Sequence, residues 1–124
     1  MHTYILRAGY SNDACDGMLN EPKSRGPAAR AVIEAVGAEY MDGFYSVSHN
    51  QAVMLLRAEP EQLTELELIV MASRAFTDVS VETLVSFDQM HNAMVSGQRS
   101  RTAYQGANID EIDRMLLDLS LIHI

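Results

Sequence analysis

The order in which the hydrophobic period switches between two and 3.6 constrains this chain most. From Thr3 to Tyr10 the residues alternate, with Tyr4, Leu6, Ala8 and Tyr10 on one side and Thr3, Ile5, Arg7 and Gly9 on the other, as in a strand. A polar stretch with Asn12, Asp13, Gly17 and Asn20 follows. Pro22 and Pro27 then bracket a helix start, and Ala29, Val32, Ile33 and Val36 repeat at helical spacing until Gly37 stops them. Glu39 to Val47 predicts a second strand, rich in aromatics (Tyr40, Phe44, Tyr45) and with Gly43 suited to a bulge. Ser48, His49 and Asn50 read as a hairpin turn into a denser apolar strand, Gln51 to Arg57. Glu59 and Pro60 open a second helix with Leu63, Leu66, Ile69, Val70 and Ser73 on one face, and its acidic first turn suits the helix dipole. Val79, Val81, Thr83, Val85 and Phe87 then alternate with Ser80, Glu82, Leu84 and Ser86 as a fourth strand.

This order, β-α-β-β-α-β over residues 1–87, is the split arrangement of an α+β ferredoxin-like fold: a four-stranded antiparallel sheet with two helices on one face. The other face of such a two-layer domain should be polar if it meets water. The third strand instead carries Val53 and Leu55 on one side and Ala52, Met54 and Leu56 on the other, and the first strand reads as apolar on both sides in the same way. A second copy packed sheet to sheet is the simplest cover, so the expectation is a homodimer joined through the open sheet face.

Residues 88–124 read as an extension. Met90 and Met94 at helical spacing suggest a short extra turn between Asp88 and Ser96, and Gly97 to Gly106 reads as a polar linker. A final helix is expected over 108–119, with Ile109, Ile112, Met115, Leu116 and Leu119 as its stripe. The last six residues, Leu119 to Ile124, resemble the translated end of a transposase sequencing adapter of the kind found in genes from metagenomic assemblies.

Charge narrows the partners. Nine Lys and Arg against 17 Asp and Glu give a net charge of -8, which opposes binding to phosphate backbones and anionic membranes, so neither nucleic acid nor membrane is expected. The single cysteine, Cys15, has no internal disulfide partner and no nearby base in sequence, which suits an idle thiol in a cytoplasmic protein. No stretch approaches the roughly 20 apolar residues of a membrane span.

Four pieces together carry a family likeness: Met1-His2-Thr3-Tyr4-Ile5, the Pro22-Lys23-Ser24-Arg25 entry to the first helix, Phe44-Tyr45 before the hairpin, and Val81-Glu82-Thr83-Leu84 leading to Phe87. They resemble the GYD-domain family, small bacterial and archaeal proteins of the dimeric α/β-barrel superfamily. The resemblance covers residues 1–87 and implies two ferredoxin-like units packed face to face. The Gly-x-Tyr-Asp hairpin that names the family is replaced here by Ser48-His49-Asn50-Gln51, so neither its tyrosine nor its aspartate has a counterpart. Relatives in the wider superfamily include cofactor-free monooxygenases, isomerases, haem-dependent enzymes and plain small-molecule binders.

No nucleophile elbow, phosphate-cradling loop, paired-cysteine zinc site or His-Glu-x-x-His helix is present. His2, His49, His91 and His123 are scattered without helical metal-pair spacing, so neither a metal nor a cofactor is expected. His49, at the hairpin tip, is the one weak catalytic candidate. Tyr4, Arg7, Tyr10 and Tyr45 are weak ligand-binding candidates, and Tyr40 would join them in any pocket, because a phenol offers an apolar body with a hydrogen-bonding tip. Arg7 is unusual in a central strand and needs a partner, for which Glu82 on the fourth strand is suited.

The leading expectation is a homodimer that binds a small, partly apolar molecule in a cavity bounded by the sheet and its helices. One alternative is a cofactor-free monooxygenase or isomerase acting on an aromatic or polyketide-like substrate, with His49 or a tyrosine steering protons. The other is a non-catalytic assembly module. A closed cavity of roughly 300 Å³ or more, lined by Tyr and His, would favour binder or enzyme, and a filled core the assembly module.

Overall fold

Four antiparallel strands form one sheet in the computed structural model, which describes residues 1–107. They are β1 (His2–Tyr10), β2 (Glu39–Ser46), β3 (Gln51–Ala58) and β4 (Phe76–Leu84), in the spatial order β2-β3-β1-β4. Helices α1 (Asn12–Asn20) and α2 (Gly26–Ala35) join β1 to β2, and α3 (Pro60–Ala72) joins β3 to β4. This is the expected α+β, ferredoxin-like arrangement with one helix added. The unit ends at Val85, and a second begins at Ser86 with α4 (Phe87–Ser100) and a 3-10 turn at Arg101–Ala103.

Register decides which residues meet the helices, because directly paired residues in an antiparallel sheet share a face. Leu6 stands opposite Met54 and Val81, Tyr4 opposite Leu56 and Thr83, and Ala8 opposite Ala52 and Val79. These line the inner face. Leu6 and Leu56 are completely buried, with Ile33 of α2 and Leu66 of α3. Val36, Ala38, Leu63 and Val70 complete the core around them. The helices stop and start where their caps dictate. After α2 the Gly37 backbone is left-handed at φ 85°, its N–H donates to the Glu34 carbonyl, and the Ala38 N–H reaches the Ile33 carbonyl at 3.1 Å. At the start of α3, Pro60 occupies the first turn and Glu59 and Gln62 form a reciprocal capping box.

The opposite sheet face carries Ile5, Val53 and Leu55, all half-buried, together with the Arg7–Glu82 pair at 3.1 Å. Both sides of β3 are apolar as expected. β1 differs, since Thr3, Arg7 and Gly9 leave Ile5 as its one large apolar residue on that face. At Gly9 a Cβ would meet the end of the Asp78 side chain, so a larger residue there displaces that carboxylate.

Four expectations are corrected. Residues 12–20 are a helix, not a polar loop, because the Ser11 hydroxyl accepts from the Ala14 N–H and caps it. The β2 bulge falls between Tyr40 and Asp42 and not at Gly43, which instead leaves room for the Tyr40 hydroxyl. β4 ends at Leu84, so Val85 and Phe87 are not strand residues. Asp88–Ser96 and the linker after it are mostly one helix, α4, started by a Ser86–Gln89 capping box whose two bonds are 2.8 and 3.0 Å. The helix expected over 108–119 and the adapter-like Leu119–Ile124 lie outside the described residues.

Core depth gives a stability prediction. Leu66→Ala should cost about 2–5 kcal/mol in urea denaturation, whereas Leu68→Ala, at 63% exposed on the same helix, should stay within about 0.5 kcal/mol. Equal losses at the two positions would contradict the packing described.

Candidate functional site

Towards the Tyr10 end of β1 the inner face becomes small: Ala8 sits beside Ala52, and Gly43 stands opposite Met54. Ala29 faces this end from α2. Large side chains fill the opposite end, but here the helices roof a space that is not filled. A cleft of about 610 Å³ opens between α1, the start of α2 and the β2–β3 hairpin. A second, of about 520 Å³, runs beneath α1 towards α3 and Phe76. Tyr10, Met18, Arg25, Ala29, Ala52 and Met54 line both, so the two are neighbouring compartments of one region.

Aromatic rings form one wall. The Tyr10 ring lies 5.1 Å from Phe76 and 6.2 Å from Tyr45, centroid to centroid, both tilted. Tyr40 joins from β2 with its hydroxyl over Gly43 and the Arg30 guanidinium 4.6 Å above its ring. Asn50 fastens the polar end. It ends the hairpin with a left-handed backbone at φ 51°, which Asn tolerates better than most residues. Its side-chain amide donates to the Tyr10 carbonyl at 3.2 Å and lies 3.6 Å from the Cys15 sulfur, while its carbonyl oxygen accepts from the Tyr45 hydroxyl at 2.7 Å. With the Tyr10 N–H donating to the Asn50 carbonyl at 3.1 Å, one residue ties β1, the hairpin and α1 together.

Electrostatics distinguish this end from the rest of an acidic chain. Burial raises the Tyr10 phenol above its ordinary 10.0, with the nearby Arg25 cation opposing the rise. Among the described residues Glu21 is the one carboxylate lining either compartment, and it pairs with Lys23 at 2.9 Å.

Two of the four ligand-binding candidates, Tyr10 and Tyr45, line the cleft, together with the Tyr40 named beside them. Tyr4 is a core residue, 6% exposed, outside both compartments. Arg7 lies on the opposite sheet face, held by Glu82 as its charge required. His49 is exposed at the hairpin tip, 3.3 Å from the Ser46 hydroxyl, and lines neither compartment. Sequence reasoning missed Arg25, Asn50 and the lining role of Cys15. The first two sat in plain view, at a helix entry and at the left-handed end of a turn, but only the fold turns them towards one space. Among the described residues no three His, Cys, Asp or Glu side chains cluster as a metal site, and no helix is long and apolar enough to cross a membrane.

Two measurements check this geometry. Asn50→Ala should be less stable than Asn50→Gly by roughly 1 kcal/mol, because Ala adds left-handed strain to the same lost hydrogen bonds. Equal denaturation midpoints would argue against it. Because the folded protein holds the Tyr10 proton more tightly than the unfolded chain does, stability should fall as pH rises through the unfolded tyrosine range, and this loss should shrink in Tyr10→Phe. An unchanged alkaline profile in the variant would rule the assignment out.

Compared with family models, the chain matches none, and no curated protein matches it.

Proposed function

We propose that the protein binds a small, partly apolar molecule in the cleft between sheet and helices, as one half of a homodimer in the cytoplasm. The observation that carries the binding reading is the cleft of about 610 Å³, open to solvent and, among the described residues, without histidine in its lining, with an aromatic wall and few polar groups. Tyr10, Tyr40 and Tyr45 give it apolar contact area with hydrogen-bonding tips. With His49 outside the cleft, proton steering by an enzyme would fall to Tyr10 or Tyr45, so the binder is the simpler reading.

The dimer reading rests on Ile5, Val53 and Leu55, clustered on the sheet face that α2 and α3 do not cover. The same pairing is what the resemblance to the GYD-domain family implies. Charged pairs at Arg7–Glu82 and Arg57–Glu39 flank this apolar centre.

Both parts have direct tests. Native mass spectrometry at micromolar concentration should give a dimer, and Leu55→Glu should give a monomer with unchanged far-UV circular dichroism; a wild type that is only monomeric would refute the pairing. For the cleft, Ala29→Leu should remove binding of an apolar fluorescent probe while leaving the fold intact. Undiminished probe binding in that variant would place the ligand elsewhere.

A further inference from the structure

We infer that the ligand of this cleft is an organic anion, an apolar or aromatic body ending in a carboxylate or comparable acid, with Arg25 as its counter-ion. The inference rests on the binding reading above and deepens it.

The argument begins with what surrounds Arg25. The chain carries 17 acidic side chains against nine Lys and Arg, so a cation on it has carboxylates to spare. Among the described residues Arg7, Lys23, Arg30 and Arg57 each have one within ion-pair distance, whereas Arg25, Arg74, Arg99 and Arg101 do not, and of these four only Arg25 lines a compartment. Among the described residues no carboxylate pairs with Arg25, although it lines both compartments. Among the described residues the first compartment has no Asp or Glu in its lining, and the first turn of α2, which follows Arg25 directly, has none either. In the second, Glu21 is taken by Lys23. The cleft therefore carries a net positive charge inside a protein of net charge -8, and that charge sits at one end of a mainly apolar space.

The polar groups beside it are complementary to an acid. A guanidinium offers a planar fork of donors that matches a carboxylate two bonds at a time. The Tyr10 phenol keeps its proton and adds a neutral donor. The Tyr45 hydroxyl donates its hydrogen bond to the Asn50 side-chain carbonyl, which fixes its ring as part of the wall. Met18, Ala29 and Met54 then leave room for the apolar body.

A matched pair of probes separates the anion from the cleft. 8-Anilinonaphthalene-1-sulfonate and N-phenyl-1-naphthylamine share their aromatic body, and only the first carries an acid. Fluorescence titration should show tighter binding of the sulfonate, with its affinity reduced about tenfold by Arg25→Ala, a reduction typical of losing one partly solvated charge-assisted contact. Arg25→Lys should recover part of it, and the neutral probe should not respond to either change. Ala29→Leu, which fills the space, should weaken both probes. If both bind equally and Arg25→Ala changes neither, while Ala29→Leu still blocks them, the anion inference fails and the cleft stands. If Ala29→Leu affects neither probe, or neither binds, the cleft reading itself fails and takes this inference with it.

Discussion

The gradation of side-chain size along the inner face of the sheet is the constraint on which the rest of the structure depends. At one end Leu6, Leu56, Ile33 and Leu66 interlock with no exposed surface, and this closed packing supplies the stability. At the other end the sheet positions Ala8 and Ala52 and, on α2, Ala29 carry only methyl groups, while Gly43 is covered by the Tyr40 hydroxyl. The cleft of about 610 Å³ above these small residues opens to solvent, so an occupant can enter it without disturbing the closed packing at the other end.

Asn50 converts that gap into a shaped site. Its left-handed backbone turns β2 into β3, and the same conformation aims its side chain inward, where it meets the Tyr10 carbonyl, the Tyr45 hydroxyl and Cys15. The hairpin, the end of β1 and the first helix are fixed relative to one another by groups that would otherwise be short of partners. The aromatic wall follows from this, because Tyr10 and Tyr45 hold their rings between Asn50 and Phe76. Stability and site are thus divided between the two ends of one sheet.

Much of the fold was legible because periodicity reports burial directly. The alternation over Thr3–Tyr10, the Gly37 stop, the Glu59-Pro60 start and the apolar character of both sides of β3 each have a local physical cause, and each stands in the structure. The helix at Asn12–Asn20 was hidden by its composition: Asn12, Asp13, Gly17 and Asn20 read as loop, and the Ser11 cap that outweighs them is a single hydrogen bond. The start of α4 is obscured for a similar reason, since the Ser-x-x-Gln capping box at Ser86 is a local signal that overlaps an alternation continuing past the end of β4 at Leu84. The candidate site was less legible. Tyr10 and Tyr45 followed from strand parity, but parity also placed Tyr4 with them, and only depth along the strand separates a core tyrosine from a lining one. Arg25 carries no periodic signal. Its significance lies in its place in the lining of both compartments, which is a property of three-dimensional neighbours.

The central claim is that the small-residue end of the inner face, and not the open face of the sheet, receives the ligand. The most direct measurement is a two-dimensional amide chemical-shift map of the isotopically labelled protein on addition of 8-anilinonaphthalene-1-sulfonate. The account predicts that the largest shifts fall on Tyr10, Arg25, Ala29, Asn50 and Ala52. Shifts concentrated instead on Ile5, Val53 and Leu55 would contradict it.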